Sequence, residues 1–592
     1  MTHTPTKKLM NAPEAIIPEM IEGMIYAHPD MLRLDGATGR AVVAVDGPRD
    51  GKVGIVIGGG SGHEPAFAGY VGRGLADAAA VGNVFASPSP QHIKEAAMAV
   101  DGGAGVLLLY GNYTGDVLNF DMAAEECAAI GINARSVAVI DDVASAPADR
   151  AHERRGIAGD FFVFKVAGAA ADMGLPLEQV EAAAQKANRA TLSMGVALSA
   201  CSMPQTLKPN FDIGPDEMEI GMGLHGEPGM RRTKIASADA VTDEMMGLIL
   251  DEMALNAGSE VAVLVNGLGA TGLMELYLIN RRVAQILEGR GVKIWQTWVG
   301  EYCTSMEMAG ASITLIHLDD DLKRYLAHPC RTPALTVGTA PEPITGATLT
   351  PRDYAAATRA DTIDRAALKT DGTIDRATLK TDGTITPQDF RTMMLAAAEA
   401  IAREKDHLSE LDGVIGDGDH GVTMDIGWTA VKVALNAAPA DDTITQTCTK
   451  AAKAFLDAVG ASSGPLYASA FNSAGKAVAD RLNLDATATA AWVEGMLNGI
   501  LKRGGASIGD KTMIDAWAPA TKAALASVPT GDPRAVLSAA TQGAKDGAEA
   551  TCDMESKRGR SKKLGQRSVG HMDPGAASAH TILSAMLAAL PR

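Results

Sequence analysis

Hydrophobic residues come in two rhythms along this chain, and the rhythm changes partway. In the first part, short apolar runs of strand length alternate with glycine-rich breaks and stretches of helical composition. Val53 to Ile57 leads into Gly58-Gly59-Gly60-Ser61-Gly62-His63-Glu64-Pro65, where Pro65 suits the first turn of a helix. Gly105 to Tyr110 leads into Gly111-Asn112-Tyr113-Thr114-Gly115-Asp116 and then a helical stretch, Phe120 to Ile130. Ser136 to Ile140 ends in Asp141-Asp142, and Val261 to Val265 ends in Asn266-Gly267-Leu268-Gly269. Apolar runs of four to eight residues bounded by turn signals read as buried strands, and their alternation with helices predicts an α/β region with mostly parallel strands. Functional residues of such a sheet gather in loops beyond the carboxyl ends of its strands.

From about residue 336 the pattern dissolves into Thr, Pro, Ala and Asp with little periodicity. Within this stretch Thr362 to Gly372 is followed by a near copy, Thr373 to Gly383. Two polar copies are too few for a solenoid, so residues 336–388 read as a linker between an α/β domain at 1–335 and a second domain at 389–592. That second domain is Ala-rich. Phe390–Leu411, Ile444–Val459, Ala477–Leu501, Met513–Ser527, Pro533–Met554 and Ala576–Leu590 are of helix length, which predicts an all-α bundle or barrel of six or more helices with its chemistry in the breaks.

The 592 residues, 46% of them hydrophobic, are ample for two cores, and a formal charge of -18 opposes nucleic acid or an anionic membrane as main partner. Cys127, Cys201, Cys303, Cys330, Cys448 and Cys552 show no paired spacing, and no apolar stretch reaches membrane-spanning length. With no signal-peptide pattern, a cytoplasmic protein acting on small molecules is expected.

Chemistry concentrates first in Asp412-Gly413-Val414-Ile415-Gly416-Asp417-Gly418-Asp419-His420-Gly421. Three carboxylates that close repel one another unless a cation neutralises them, and an oxygen-only cluster suits Mg²⁺ working beside substrate phosphates. The glutamate that would close an EF-hand is missing. Gly460-Ala461-Ser462-Ser463-Gly464 offers backbone N–H groups and hydroxyls to terminal phosphates, and Gly504 to Met513 forms a second ligand loop. The basic stretch Lys557 to Arg567, before Gly570-His571-Met572-Asp573-Pro574-Gly575, is placed to close over nucleotide phosphates.

In the first part, Gly58 to Pro65 lacks the Lys-Ser/Thr of a Walker A loop. Gly221-Met222-Gly223-Leu224-His225-Gly226 matches G-x-G-x-x-G, but Glu227-Pro228-Gly229 stands where a dinucleotide-binding helix would begin. Both glycine turns share a tail, His-Glu-Pro at His63 and His-Gly-Glu-Pro at His225. Two histidines and Asp116 in glycine-rich loops supply proton transfer to a small ligand near neutral pH.

Taken in order, these motifs resemble the ATP-dependent dihydroxyacetone kinases, in which a ketose-binding domain and an all-α nucleotide-binding domain are fused. The resemblance rests on Gly58–Pro65, Asn112–Asp116, Gly223–Gly229, the Asp412/Asp417/Asp419 cluster, Gly509–Met513 and Asp573–Gly575, and covers nearly everything except the repeat. It implies that a ketone carbon is held covalently as a hemiaminal on His225, that Asp116 takes the proton of the terminal hydroxyl, and that His63 hydrogen-bonds the sugar. It further implies sugar contacts at Gly60, Ser61, Gly62, Ser87 and Gly111. Nucleotide contacts are implied at His420, Thr423, Ser462, Ser463, Gly464, Gly509, Thr512, Met513, Arg567, Asp573, Pro574 and Gly575. Asp412, Asp417 and Asp419 would hold two Mg²⁺ ions beside ATP, the helical domain would be a barrel, and the protein a homodimer.

One position departs from the family pattern: Gly111 stands where well-known members carry a substrate-contacting Lys. The space it leaves suits a four-carbon ketose such as erythrulose as well as dihydroxyacetone. FAD cleavage to cyclic FMN, known among relatives, and a non-catalytic ketose-binding regulator are the competing readings.

Overall fold

The computed structural model describes residues 6–339, 383–416, 418–479 and 481–590. The chain separates into two compact units, residues 1–351 and 352–592. The duplicated segment, up to residue 382, and Asp417 lie outside the described residues.

The first unit holds two six-stranded sheets. Its strands are β1 (Leu32–Asp35), β2 (Ala41–Ala44), β3 (Gly54–Ser61), β4 (Ala78–Val84), β5 (Val106–Gly111), β6 (Ala134–Val139), β7 (Thr191–Ala197), β8 (Glu217–Ile220), β9 (Arg231–Lys234), β10 (Glu260–Gly267), β11 (Lys293–Gly300) and β12 (Gly310–Leu318). Its helices are α1 (Ile16–Ala27), α2 (Pro90–Val100), α3 (Thr114–Ala129), α4 (Asp160–Asp172), α5 (Leu177–Ala190), α6 (Ala238–Glu252), α7 (Leu273–Gly289) and α8 (Asp320–Ala327).

The first sheet runs β1-β2-β4-β3-β5-β6 and is parallel from β4 to β6. The second runs β11-β10-β12-β7-β8-β9, and only β10 and β11 pair in parallel. The expectation of mostly parallel strands therefore fails for the second sheet. Strand direction depends on whether a crossing helix or a direct loop precedes a strand, and the direct return after β11 that lays β12 antiparallel on β10 is invisible to hydrophobic periodicity.

Strand β10 shows how the layers form. Val261, Val263 and Val265 enter a core with α6 and α7, whereas Ala262 and Leu264 enter a second core with α4 and α5. That second core also takes Leu107 and Leu109 from β5, so α4 and α5 are shared between the two sheets. A strand buried on both faces is apolar throughout, which is why it read as a continuous run.

Gly58, Gly59 and Gly60 are not a turn but the last part of β3, and no helix begins at Pro65. A Cβ on Gly58 would stand 2.7 Å from Ala80 O, and one on Gly60 would stand 2.7 Å from Ala86 N. Close approach of neighbouring backbone is the reason for glycine there.

Residues Cys330–Arg331 and Thr336–Val337 pair as a short hairpin, so the first unit continues past the sequence-based edge at 335. In the second unit the helices are α9 (Pro387–Ile415), α10 (His420–Asn436), α11 (Ile444–Ala458), α12 (Ser463–Ala477), α13 (Ala486–Gly504), α14 (Ile514–Ser527), α15 (Pro533–Ala550) and α16 (Pro574–Ala589). Two of these, α10 and α12, escaped the sequence reading because glycines and serines at their starts resemble loop. The expected helix Ala477–Leu501 is divided: α12 stops at Ala477, and Asp485 caps α13 by accepting from Ala488 N–H at 2.7 Å.

Each helix packs on the next in chain order, and α16 returns to pack on α9. Trp428, Phe455, Tyr467 and Phe471 stack edgewise or tilted in the middle of this cycle, all fully buried. Phe471→Ala should destabilise the second unit by about 3–5 kcal/mol through the cavity it leaves. Denaturant melts of the full chain should show an earlier transition for that unit, with the first unit's transition unmoved.

Candidate active site and metal-binding end

The carboxyl ends of β3 and β5 deliver His63 and Asp116, while the loop between β8 and β9 delivers His225, so the first unit's site stands where its two sheets meet. The G-x-G-x-x-G segment is this loop, with no helix behind it. His63 Nε2 lies 3.1 Å from His225 Nε2, and the rings meet edge to face. Both histidines are buried.

His63 Nδ1 donates to Thr304 O at 2.8 Å. Burial, reinforced by His225, pushes its pKa down to about 3, so it is neutral and Nε2 is an acceptor. Phe85 stacks on it at 5.1 Å, with a left-handed φ of 55°. A bulky residue held in that region is strained, and such strain gathers at functional sites.

His225 Nδ1 faces Glu227 Oε1 at 2.8 Å, and Glu227 Oε2 accepts the His225 backbone N–H at 2.9 Å. The shared tail of the two glycine turns is explained by this geometry. Glu64 likewise folds back onto the N–H two residues upstream, that of Gly62 at 3.0 Å. The tails differ in one respect, since only Glu227 also grips its histidine ring.

Behind Glu227 stands Arg155, buried, with Nη1 at 3.8 Å from Glu227 Oε2 and Nη2 at 2.7 Å from Asp142 Oδ2. Burial opposes its charge, but Asp142 and Glu227 outweigh that and raise its pKa above the ordinary value. The segment carrying it is held by Asp141, which accepts Ile157 N–H and Gly159 N–H at 2.8 Å each. Asn210 adds a hydrogen bond to His225 O at 2.7 Å. Glu227, Arg155, Asp142, Asn210 and Thr304 were absent from the sequence-based site; the paired acids after β6 and the Glu one residue beyond His63 and two beyond His225 were the available signals.

The other expected residues line the same end. Ser61 Oγ donates to Gly82 O at 2.8 Å, Gly62 O accepts Met306 N–H at 2.7 Å, and Gly60 and Ser87 are buried beside them. Asp116 is buried in the first turn of α3. Gly111 ends β5; a Cβ built on it stands 3.3 Å from the Tyr113 ring and 3.4 Å from Gly156 O. Tyr113 in turn lies edge-on to His225, centroids 5.0 Å apart.

In the second unit, alternate helices of the cycle start at one end, which brings the starts of α10, α12, α14 and α16 together. His420 Nε2 meets Ser578 Oγ at 3.0 Å, joining α10 to α16. Gly575 packs on Met513, a Cβ there standing 3.3 Å from Met513 Cβ. Asp573 caps α16 through Ala576 N–H at 2.8 Å, and its N–H donates to Thr551 Oγ1 at 2.9 Å. Asp515 accepts Gly509 N–H at 2.6 Å and Thr512 N–H at 2.9 Å, which shapes the 509–513 loop. Ser463 Oγ is buried with no hydrogen-bond partner among the described residues, beside Ser462 and Gly464 at the start of α12. Pro574 opens α16, Thr423 is buried in the first turn of α10, and Arg567 is exposed in the 3₁₀ turn Arg560–Ser568. Converging N-termini present positive dipole ends, an anion-binding arrangement.

Asp412 Oδ2 accepts the N–H groups of Asp419 and His420 at 2.9 and 3.2 Å, capping α10 from the end of α9. Burial first, then the Asp412 charge, pushes Asp419 up to about 8; burial and the neighbouring Asp412 and Asp515 push Asp573 up to about 7. All-oxygen donors that resist ionising beside one another fit a hard cation such as Mg²⁺. Among the described residues no three His, Cys, Asp or Glu side chains form a closed ligand set, and Asp417 lies outside them.

Lys511 pins the loops around this end. Its Nζ donates to Thr551 O, Met554 O, Ser568 O and His571 O at 2.9, 3.1, 2.5 and 2.6 Å. Lys511→Met would strip these carbonyls of their donor at about 1–3 kcal/mol for each acceptor left buried. Limited proteolysis should then cut between residues 554 and 571 markedly faster than in the native chain.

Comparison with known proteins places both units. A Dak1 domain model matches residues 22–334 and a DAK2 domain model residues 414–588. The chain is 36% identical to the L-erythrulose 1-kinase of Mycolicibacterium smegmatis, covering 98% of each chain. It is 33% identical to the triokinase/FMN cyclase of Rattus norvegicus, covering 99% of each. Among solved structures, the dihydroxyacetone kinase from C. freundii in complex with AMP-PNP and Mg²⁺ superposes with a TM-score of 0.52 at 30% identity, covering 98% of this chain and 99% of that one.

Proposed function

The chain belongs to the dihydroxyacetone kinase family and is a ketose kinase, and from that premise we propose that it transfers the γ-phosphoryl of ATP to the terminal hydroxyl of dihydroxyacetone or erythrulose held as a hemiaminal on His225. The observation that supports this reading is the orientation of the His225 ring. Glu227 occupies Nδ1, so Nε2 is the nitrogen turned toward His63 and the sugar site.

Because His63 offers only an acceptor at Nε2, the 3.1 Å contact takes its proton from His225. As the ketone carbon arrives, that proton moves to the carbonyl oxygen and the freed Nε2 pair attacks carbon. The C–N bond forms, the C=O π pair goes to oxygen, and the ring keeps a positive charge opposite the Glu227 carboxylate. Asp116 then receives the proton of the terminal hydroxyl as it attacks the γ-phosphorus, and ADP leaves. Polyols, which have no carbonyl, cannot form this bond and are selected against.

For the nucleotide, the supporting features are the clustered N-termini of α10, α12, α14 and α16, with His420, Thr423, Ser462, Ser463, Gly464, Gly509, Thr512, Met513, Arg567, Asp573, Pro574 and Gly575 as its contacts. Asp412, Asp417 and Asp419 would hold two Mg²⁺ ions. Bound Mg²⁺ neutralises the phosphate oxygens and so lowers the electrostatic cost of transfer. The closed cycle of helices supports a barrel with ATP at one end, and exposed Leu273, Met274, Tyr277 and Leu278 on α7 support a homodimer. The name of the rat relative includes FMN cyclase, and incubation with FAD tests that activity here.

With a ketose carrying ¹³C at the ketone, the native protein should show a tetrahedral carbon signal, and His225→Ala should abolish it. Asp116→Asn should retain the adduct while turnover falls by about 10² to 10⁴. A trigonal carbon in saturated native protein overturns the covalent reading.

Gly111 bears on the choice of ketose. A Lys Cβ fits there with a small shift of Tyr113, and its stem would cross the space in front of His225. The native chain should therefore show kcat/KM for erythrulose at least equal to that for dihydroxyacetone, and Gly111→Lys should move the preference toward dihydroxyacetone. Competing-substrate kinetics with both ketoses decide this.

A further inference from the structure

The sugar-binding histidine is not held by its own loop alone. Glu227, which grips its ring, is 3% exposed, and a carboxylate so buried stays ionised only beside a compensating charge. Besides the His225 ring itself, a fixed cation stands near it: Arg155, contributed by the segment between β6 and α4. Its guanidinium is fixed by Nε and Nη2 on Asp142, at 2.8 and 2.7 Å, and by Nη2 on Gly221 O at 3.1 Å. Those bonds fix where Nη1 stands, 3.8 Å from Glu227 Oε2. This separation is too long for a hydrogen bond, so the guanidinium acts on Glu227 by its field.

We propose that Arg155 is a positioning residue for the covalent step: anchored by Asp142, it keeps Glu227 ionised, and Glu227 thereby holds His225 with Nδ1–H engaged and Nε2 aimed at the ketone. The inference rests on the hemiaminal reading above and extends it to three residues that do not touch the sugar.

Among the titratable groups around Glu227, Asp141, which holds the Arg155 segment, is pushed up to about 6 chiefly by burial; it is common to the native chain and the variants, so a pH response found only in Arg155→Gln reports Glu227. His63 is neutral with a pKa of about 3, and Tyr113, at the start of α3, is held protonated by burial and by Glu227. Burial first, then the charges of Asp141 and Asp116, push the carboxyl of Asp160, at the start of α4, well above the usual carboxylate range. Asp142, behind Arg155, and His225 itself complete the set.

Removing the Arg155 cation raises the proton affinity of Glu227. Below its raised pKa Glu227 is a neutral acid that no longer compensates the ring, and above it the carboxylate returns. Sugar binding by Arg155→Gln should therefore weaken about ten- to hundredfold at neutral pH, the weight of one buried charge-assisted hydrogen bond, and recover as pH rises. Arg155→Lys keeps the cation and should retain most of the native affinity and the native pH profile. Glu227→Gln leaves the Arg155–Asp142 pair intact and should lose affinity equally at every pH, since an amide does not titrate.

The measurement is the ketose KM, kcat and the ¹³C adduct signal across pH 6 to 9 for the native chain and the three variants, with melting curves to confirm folding. Loss in Arg155→Gln that is the same at every pH, or Arg155→Lys as impaired as Arg155→Gln, overturns the inference. So does an adduct that persists unchanged in Glu227→Gln. Absence of an adduct in the native chain overturns the hemiaminal reading itself, and with it this extension.

Discussion

The first unit depends on one shared carboxylate. Glu227 receives both the backbone N–H and the ring Nδ1–H of His225, and that double grip fixes the ring of a histidine carried on a glycine-rich loop. Such a carboxylate is costly to bury, and the structure meets the cost with a line of partners running Asp142, Arg155, Glu227, His225, His63 and Thr304 O. The line crosses from β6 of one sheet to loops of the other. Aligning the two sheets and aligning the two histidines are thus one event.

The same rule, that buried charge must be satisfied, organises the surroundings. Lys165 in α4 donates to Gly74 O, Tyr325 O and His328 O, tying the central helix layer to the segment around α8, and burial lowers its pKa to about 8. Lys511 does the equivalent service in the second unit with four carbonyls. A buried ammonium with only backbone acceptors is a strong local staple, because each loop it touches would otherwise carry an unpaired carbonyl. Both lysines hold loops, so a basic residue such as Lys511 beside the proposed nucleotide end need not face phosphate.

The second unit reaches its function by a different route. An even cycle of helices, each packed on the next in chain order, places every second N-terminus at one end, and four such termini gather positive dipole ends there. Carboxylates of Asp412, Asp419 and Asp573 gather at that same end, two of them pushed well above the usual carboxylate range. Dipole ends that favour anions and carboxylates that favour a cation fit a metal-bound polyphosphate better than either component alone.

Much of this was legible in the residues. The apolar runs located β3, β5, β6 and β10, the Ala-rich periodicity located most of the second unit's helices, and the spacing of Asp412, Asp417 and Asp419 raised the expectation of a cation-binding stretch. Local pattern suffices there because strand burial, helix amphipathicity and like-charge repulsion between neighbours in sequence are all short-range effects. The antiparallel second sheet, the glycines that lie in β3 rather than in a turn, and the starts of α10 and α12 were not legible. Each depends on which distant backbone lies alongside: β12 beside β7, Ala80 beside Gly58, α9 beside α10. Arg155 and Glu227 make the same point at the site. Separated along the chain, they are ordinary charged residues; only tertiary packing brings them to 3.8 Å in a dry interior, where a charge acts on its neighbour with a strength that water would have screened.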